Sequence, residues 1–162
     1  DRYNEITSIA IDYSIIDISN DIIDSINVLE STFLAMNKAI SKIIKKADYI
    51  IIDGNQFKTK SKFKYECVIR GDSIYQSIAA ASILAKVHRD KLMVKYNKEY
   101  PYYDWINNKG YGTIKHKNAI KKFGISIYHR KSFNLLNKQL KIKIWFFNFV
   151  IKFWKSICFY FL

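Results

Sequence analysis

The sequence has one Pro, five Gly and two Cys in 162 residues, and no uncharged run long enough to cross a bilayer. Each shortage excludes something. So little Pro and Gly rules out polyproline, collagen-like and Gly-rich linker architectures. Cys67 and Cys158 are too few and too far apart for a disulfide framework or a zinc ribbon; they read as small buried hydrophobes in a reducing compartment. A spanning helix needs ~20 consecutive apolar residues, whereas the longest uncharged stretch of the aromatic C-terminal tail is Ile144–Ile151. The polar, acidic N-terminus lacks the basic segment and apolar core of a signal peptide.

What is present is a folded chain, 49% hydrophobic, with a net charge of +13. The charge is segregated. Residues 1–30 hold seven acids (Asp1, Glu5, Asp12, Asp17, Asp21, Asp24, Glu30) against Arg2 alone. Between Lys86 and Lys131 there are twelve Lys and Arg against three acids. A basic half of this kind suits a polyanionic partner better than uniform solubilising charge would.

Ile6–Tyr13 alternates loosely and predicts a half-buried strand. Ile22, Ile26, Leu29, Phe33, Met36, Ile40 and Ile43 then step by four and three, one stripe of a helix that Ser19 or Asn20 can cap. The apolar run Tyr49–Ile52 predicts a strand buried on both faces, ended by Asp53 and Gly54. A basic connector from Gln56 to Lys64 leads into a strand over Tyr65–Arg70. Ser77 is placed to cap a long helix that must stop before Pro101. Thr113 caps a shorter helix closed by Gly124, with Ala119, Ile120 and Phe123 facing inward. Strands alternating with helices give an α/β domain.

Asp53 and Asp72 each follow an apolar strand. Clustered carboxylates at strand ends suit phosphodiester hydrolysis, in which two divalent ions about 3.5–4 Å apart polarise the two sides of the displacement. Each residue alone has a plainer reading, Asp53 as an Asp-Gly turn and Asp72 as a helix lead-in. The motifs DGN-x-F (Asp53–Phe57), GD-x4-SIAAASILAKV-x-RD (Gly71–Asp90), YP-x-Y (Tyr100–Tyr103), NKGYGT-x2-H (Asn108–His116) and HRKSF (His129–Phe133) occur in this order. Together they resemble ribonuclease HII, over roughly Ile26 to Leu136.

That resemblance implies a ribonuclease-H-like mixed sheet flanked by helices. The implied function is endonucleolytic cleavage of the RNA strand of RNA–DNA hybrids, and at single ribonucleotides in duplex DNA. Mn²⁺ or Mg²⁺ would be the cofactor, and the products would carry 3′-hydroxyl and 5′-phosphate ends. Asp53 and Asp72 would be two of four catalytic, metal-binding carboxylates. Tyr111, between two glycines, would pack on the deoxyribose beside the ribonucleotide. Lys86, Lys109, Asn55, Thr113, His129, Arg130 and Ser132 would be nucleic-acid contacts; Arg89 is a further candidate for phosphate, and His116 for backbone contact or helix packing.

The family's opening G-x-D-E-x-G-R-G strand, source of the other two carboxylates, does not occur here, and Asp1 rather than Met begins the chain. The expectation is therefore a catalytic domain over 1–136 whose central N-terminal strands are missing, followed by a helical aromatic and basic tail over 137–162. The enzyme would be monomeric and cytoplasmic, with no membrane contact. The alternatives are an inactive remnant that binds nucleic acid without cutting, or an adaptor that uses its aromatic tail on a membrane or partner.

Overall fold

The structure is a computed structural model that describes residues 1–43 and 47–133, and the backbone of 159–160. In chain order its elements are α1 (Arg2–Ile9), β1 (Asp12–Tyr13), α2 (Asn20–Lys42), β2 (Tyr49–Asp53) and β3 (Lys64–Val68). A 3₁₀ turn (Gly71–Ser73) leads to α3 (Gln76–Glu99), a second 3₁₀ turn (Pro101–Tyr103), α4 (Trp105–Asn108), α5 (Ile114–Phe123) and β4 (Phe159–Tyr160). It is a mixed α/β arrangement, as the alternating pattern implies.

β2 and β3 are parallel neighbours, in register from Tyr49 opposite Lys64 to Asp53 opposite Val68. The connector between them is pinned to α2. Phe57 is buried against Phe33, Met36 and Ile40 of α2 and Ile50 and Ile52 of β2. Asn37 Nδ2 donates to the Lys58 carbonyl at 2.8 Å, and the Lys58 ammonium meets Glu30 at 2.7 Å. The helical stripe holds in its second part, with Phe33, Met36 and Ile40 buried on one side, whereas Ile26, before the break in the helix, is exposed.

Two further clusters surround α3. Ile6 of α1 packs on Ala80, Ala81, Leu84 and Ala85, where small side chains let the helices approach closely. Tyr103, Trp105, Ala119 and Ile120 form the third, with Met93, Tyr96, Tyr100 and Tyr128 around them.

Several local expectations are corrected. Residues 2–9 form a helix, not the first part of a strand: the Asp1 carboxylate accepts from the Tyr3 amide at 3.1 Å and caps it, and only Asp12–Tyr13 are extended, antiparallel to Phe159–Tyr160. α2 is broken at Asn27 (φ 66°, ψ 171°), whose Oδ1 accepts from the Glu30 amide and so caps the second segment. α3 begins one residue before Ser77, after Tyr75, because the Gly71–Ser73 turn feeds it directly. β2 buries Ile50 and Ile52 on one face only, with Tyr49 exposed. Phe123 is half exposed against the ring of Tyr102, not in the core.

Other expectations hold. Ser19 Oγ caps α2 and Thr113 Oγ1 caps α5. α5 closes at Gly124, whose φ of 78° suits glycine. α3 ends at Glu99, before Pro101. Cys67, expected to be buried, is only half-buried, and burial still pushes its thiol pKa up. Cys158 and the expected tail helix lie outside the described residues, apart from Phe159–Tyr160, which are a short strand. Among the described residues no helix is long and apolar enough to cross a membrane.

Candidate active site

The parallel register sets Asp53 at the carboxyl end of β2 beside Val68 at the end of β3, three residues before Gly71. The chain then folds back. The Gly54 amide donates to the Val68 carbonyl, and the Gly71 amide donates to Asp53 Oδ1, both at 2.9 Å. Asp72 is the next residue, so its backbone lies close to Asp53. Gly71 packs closely there: a Cβ would lie 2.5 Å from Ile78 Cδ1, the tip of a side chain that would have to shift, and 3.4 Å from Val68 Cβ. Both aspartates are half-buried, and Asn55 is exposed on the adjoining turn.

Two hard carboxylate oxygens are suitable donors for Mg²⁺ or Mn²⁺. Two such groups are few for an ion that takes six oxygen ligands. Asp53 Oδ1 already accepts an amide, and among the described residues no group of three or more His, Cys, Asp or Glu could hold a metal. The pair by itself does not fit two ions.

A second feature is the turn Asn108–Thr113. Lys109 (φ 49°) and Gly110 (φ 83°) both have left-handed backbone. Asn108 holds them: its carbonyl accepts from the Tyr111 amide and its Oδ1 from the Gly110 amide, each at 2.8 Å, while its Nδ2 donates to the Tyr103 carbonyl at 2.7 Å. Tyr111 is half-buried. Arg89 of α3 lies over its ring at 4.4 Å from guanidinium carbon to centroid, and Nη1 donates to the Tyr111 hydroxyl at 3.1 Å. The second Arg89 terminal nitrogen donates to the Lys109 carbonyl. Arg89, 8% exposed, is thus no surface phosphate contact; it supports Tyr111 from beneath. Lys86 is exposed on α3, Thr113 is exposed, and the Lys109 ammonium folds back onto the Ile106 carbonyl at 2.6 Å.

The HRKSF segment docks on the start of α2. Asn20 Nδ2 donates to the carbonyls of Ile127 (2.9 Å) and His129 (3.0 Å). Asp24 accepts from the Lys131 amide at 2.6 Å and from the Ser132 hydroxyl; that hydroxyl bond, foremost, holds its carboxyl below the usual range. Arg130 stacks over Phe133 at 4.8 Å. His129 is not at the surface. It is buried with His116 among Tyr103 and Trp105, and both its ring nitrogens are engaged inside the protein, so it is no surface contact.

The bonds assign the tautomers of this pair. The Ser126 amide donates to His129 Nδ1 at 2.9 Å, so the proton of neutral His129 is on Nε2 and points to His116 Nε2, 3.0 Å away. His116 then carries its proton on Nδ1, 2.9 Å from the Tyr111 carbonyl. The Trp105 indole donates to the same His116 Nε2 at 3.2 Å. His116 therefore packs inside and ties the Tyr111 turn to the HRKSF segment.

Burial lowers both imidazole pKa values, and for His129, next to His116, the value falls to about 4. A folded value below the ordinary 6.5 means the unfolded chain binds more protons in that window. Stability should therefore be complete above pH 6.5 and decline as pH falls towards 4, by at most on the order of 3 kcal/mol from His129. Urea midpoints measured from pH 7 to 4 should show this decline, and His129→Gln should flatten it. An equal slope in the variant would remove the pair as its source.

The carboxylate corner, the glycine-flanked tyrosine and the docked HRKSF segment fall within a region shared with known proteins. The family sequence model described as Ribonuclease HII matches residues 3–136. Ribonuclease HII of Christiangramia forsetii is 51% identical over 133 residues, covering 82% of this chain and 67% of that protein. Ribonuclease HII of Cytophaga hutchinsonii is 45% identical over 134 residues, 82% of this chain and 66% of the relative. That of Phocaeicola vulgatus is 48% identical over 122 residues, 75% and 61% respectively. The chain spans about two thirds of the length of these curated relatives. A match that takes in all five motifs at this identity leaves one conclusion: the chain belongs to the ribonuclease HII family.

Proposed function

We propose that these residues are the larger part of an endonuclease that cuts the RNA strand of RNA–DNA hybrids, and cuts at single ribonucleotides in duplex DNA. One observation supports the reading: Asp53, at the carboxyl end of a parallel strand, accepts from the amide of Gly71, the residue before Asp72, in a chain of this family. Water oxygen would bond to phosphorus as the bond from phosphorus to the 3′-oxygen breaks. The departing oxygen takes a proton, so the ends are a 3′-hydroxyl and a 5′-phosphate. Mn²⁺ or Mg²⁺ is the implied cofactor. Asp53 and Asp72 are its donors in this chain, two of the four carboxylates the reading requires.

Recognition is assigned to the Tyr111 turn, with its ring against the sugar next to the ribonucleotide. Lys86, Lys109, Asn55, Thr113, Arg130 and Ser132 are the proposed contacts around it, most of them at or near the surface. The net charge of +13 supports an electrostatic share of binding that falls with salt.

Tyr111→Ala tests the substrate assignment. Stacking on a nucleic-acid platform is worth roughly 1–3 kcal/mol, so cleavage at a single embedded ribonucleotide should fall about ten- to a hundredfold. Thermal stability and hybrid binding should change much less. An unchanged rate on that substrate would make Tyr111 a structural residue.

A further inference from the structure

We propose that Arg89 is a positioning residue for substrate recognition: it fixes the plane and height of the Tyr111 ring against the nucleic acid. The inference rests on the reading of Tyr111 as the sugar platform. The backbone of the turn is already set by Asn108 and by the bond from His116 to the Tyr111 carbonyl. Neither fixes the torsions of the Tyr111 side chain. Arg89 does.

Three contacts converge from one planar group. The guanidinium covers one ring face at 4.4 Å, donates to the hydroxyl at 3.1 Å, and donates to the carbonyl of Lys109, two residues before the tyrosine. With one face occupied, the ring offers the other to a ligand. The guanidinium is itself held, since Arg89 is buried on α3, one turn beyond Leu84 and Ala85, which pack against α1. The platform is therefore referred to a long, packed helix of the domain rather than to its own loop.

Only arginine suits this geometry. Its flat fork can lie against a ring and reach two oxygens at once, whereas a lysine ammonium is a point charge on a flexible stem. Arg89→Lys keeps the charge and loses the simultaneous grip. Because phosphate contacts dominate affinity, the loss should appear in the rate at saturation and not in binding.

The test uses the full-length protein in four forms: parent, Arg89→Lys, Tyr111→Ala and the double variant. Single-turnover cleavage of a duplex with one ribonucleotide is measured at saturating enzyme, beside thermal midpoints. Arg89→Lys should lose about tenfold when Tyr111 is present and no more than about twofold in the Tyr111→Ala background. Equal losses in both backgrounds, or no loss with Tyr111 present, would overturn the role of Arg89 while leaving that of Tyr111 in place. Tyr111→Ala at the parent rate would remove the platform reading and this proposal with it. Should Arg89→Lys fold poorly, Tyr111→Phe decides the matter, because it keeps the ring and removes the hydroxyl that Arg89 grips. A several-fold loss is expected, and a parental rate would overturn the proposal.

Discussion

Asp53→Asn in the full-length protein should lower cleavage of an RNA–DNA hybrid by at least about a thousandfold, and Asp72→Asn should do the same. Removing one electrostatic group from a reaction centre costs roughly 10²–10³ in favourable cases, and a carboxylate that helps hold the cofactor should lie at the upper end. The substitution is nearly isosteric. The amide oxygen of the replacement side chain could still accept the Gly71 amide that Asp53 accepts at 2.9 Å, so the corner of the sheet should persist. Hybrid affinity should change by less than about threefold, because it depends on phosphate–cation contacts. Normal turnover by Asp53→Asn, with the protein folded, would end the assignment.

The second large effect concerns the set of carboxylates. A polypeptide of these 162 residues, made alone, should not cleave. Asp53 and Asp72 supply two carboxylates, and octahedral Mg²⁺ held by so few charged oxygens stays mostly hydrated and mobile. Joining the family's opening strand, with its adjacent Asp-Glu pair, should restore activity from background to that of a full enzyme. It should also stabilise the domain. The β2–β3 pair is the whole of its sheet among the described residues, and Tyr49 and Tyr65 are exposed on it. A two-stranded sheet leaves ladder groups for another strand to take. The added strand should therefore raise the thermal midpoint as well as the rate.

The sequence showed its local patterns well and its long-range ones poorly. The stripe from Ile22 to Ile43 was readable because a helix repeats every 3.6 residues, yet nothing in that spacing marked the break at Asn27 (φ 66°). Residues 6–13 looked extended because Ile is strand-prone and loosely alternating. Asp1, as a cap, and the smooth alanine face of α3 gave Ile6 a helical place instead. Asp53 was legible as a strand-end acid; Asp72 lies in the turn beyond β3, and the bond from the Gly71 amide to Asp53 is what brings its backbone near.

The supports of Tyr111 were hidden for another reason. Arg89 lies 22 residues before it and His129 sits 13 after His116. The pairing of Asp24 with Ser132 spans 108 residues. A run such as HRKSF reads as a basic surface strip, and only packing around Tyr103 and Trp105 turns its histidine inward. Polar residues buried by distant partners leave no periodic signature in the chain.

The most direct measurement is hydrolysis of a labelled duplex carrying one ribonucleotide, in Mn²⁺ and in Mg²⁺. It compares the 162-residue polypeptide, the same chain extended by the Asp-Glu strand, and the extended chain with Asp72→Asn. The account predicts cutting by the extended chain alone, leaving 3′-hydroxyl and 5′-phosphate ends. Cutting by the 162-residue polypeptide at a rate like that of the extended chain would contradict it, and would transfer the chemistry to acids near the N-terminus, Asp12 first.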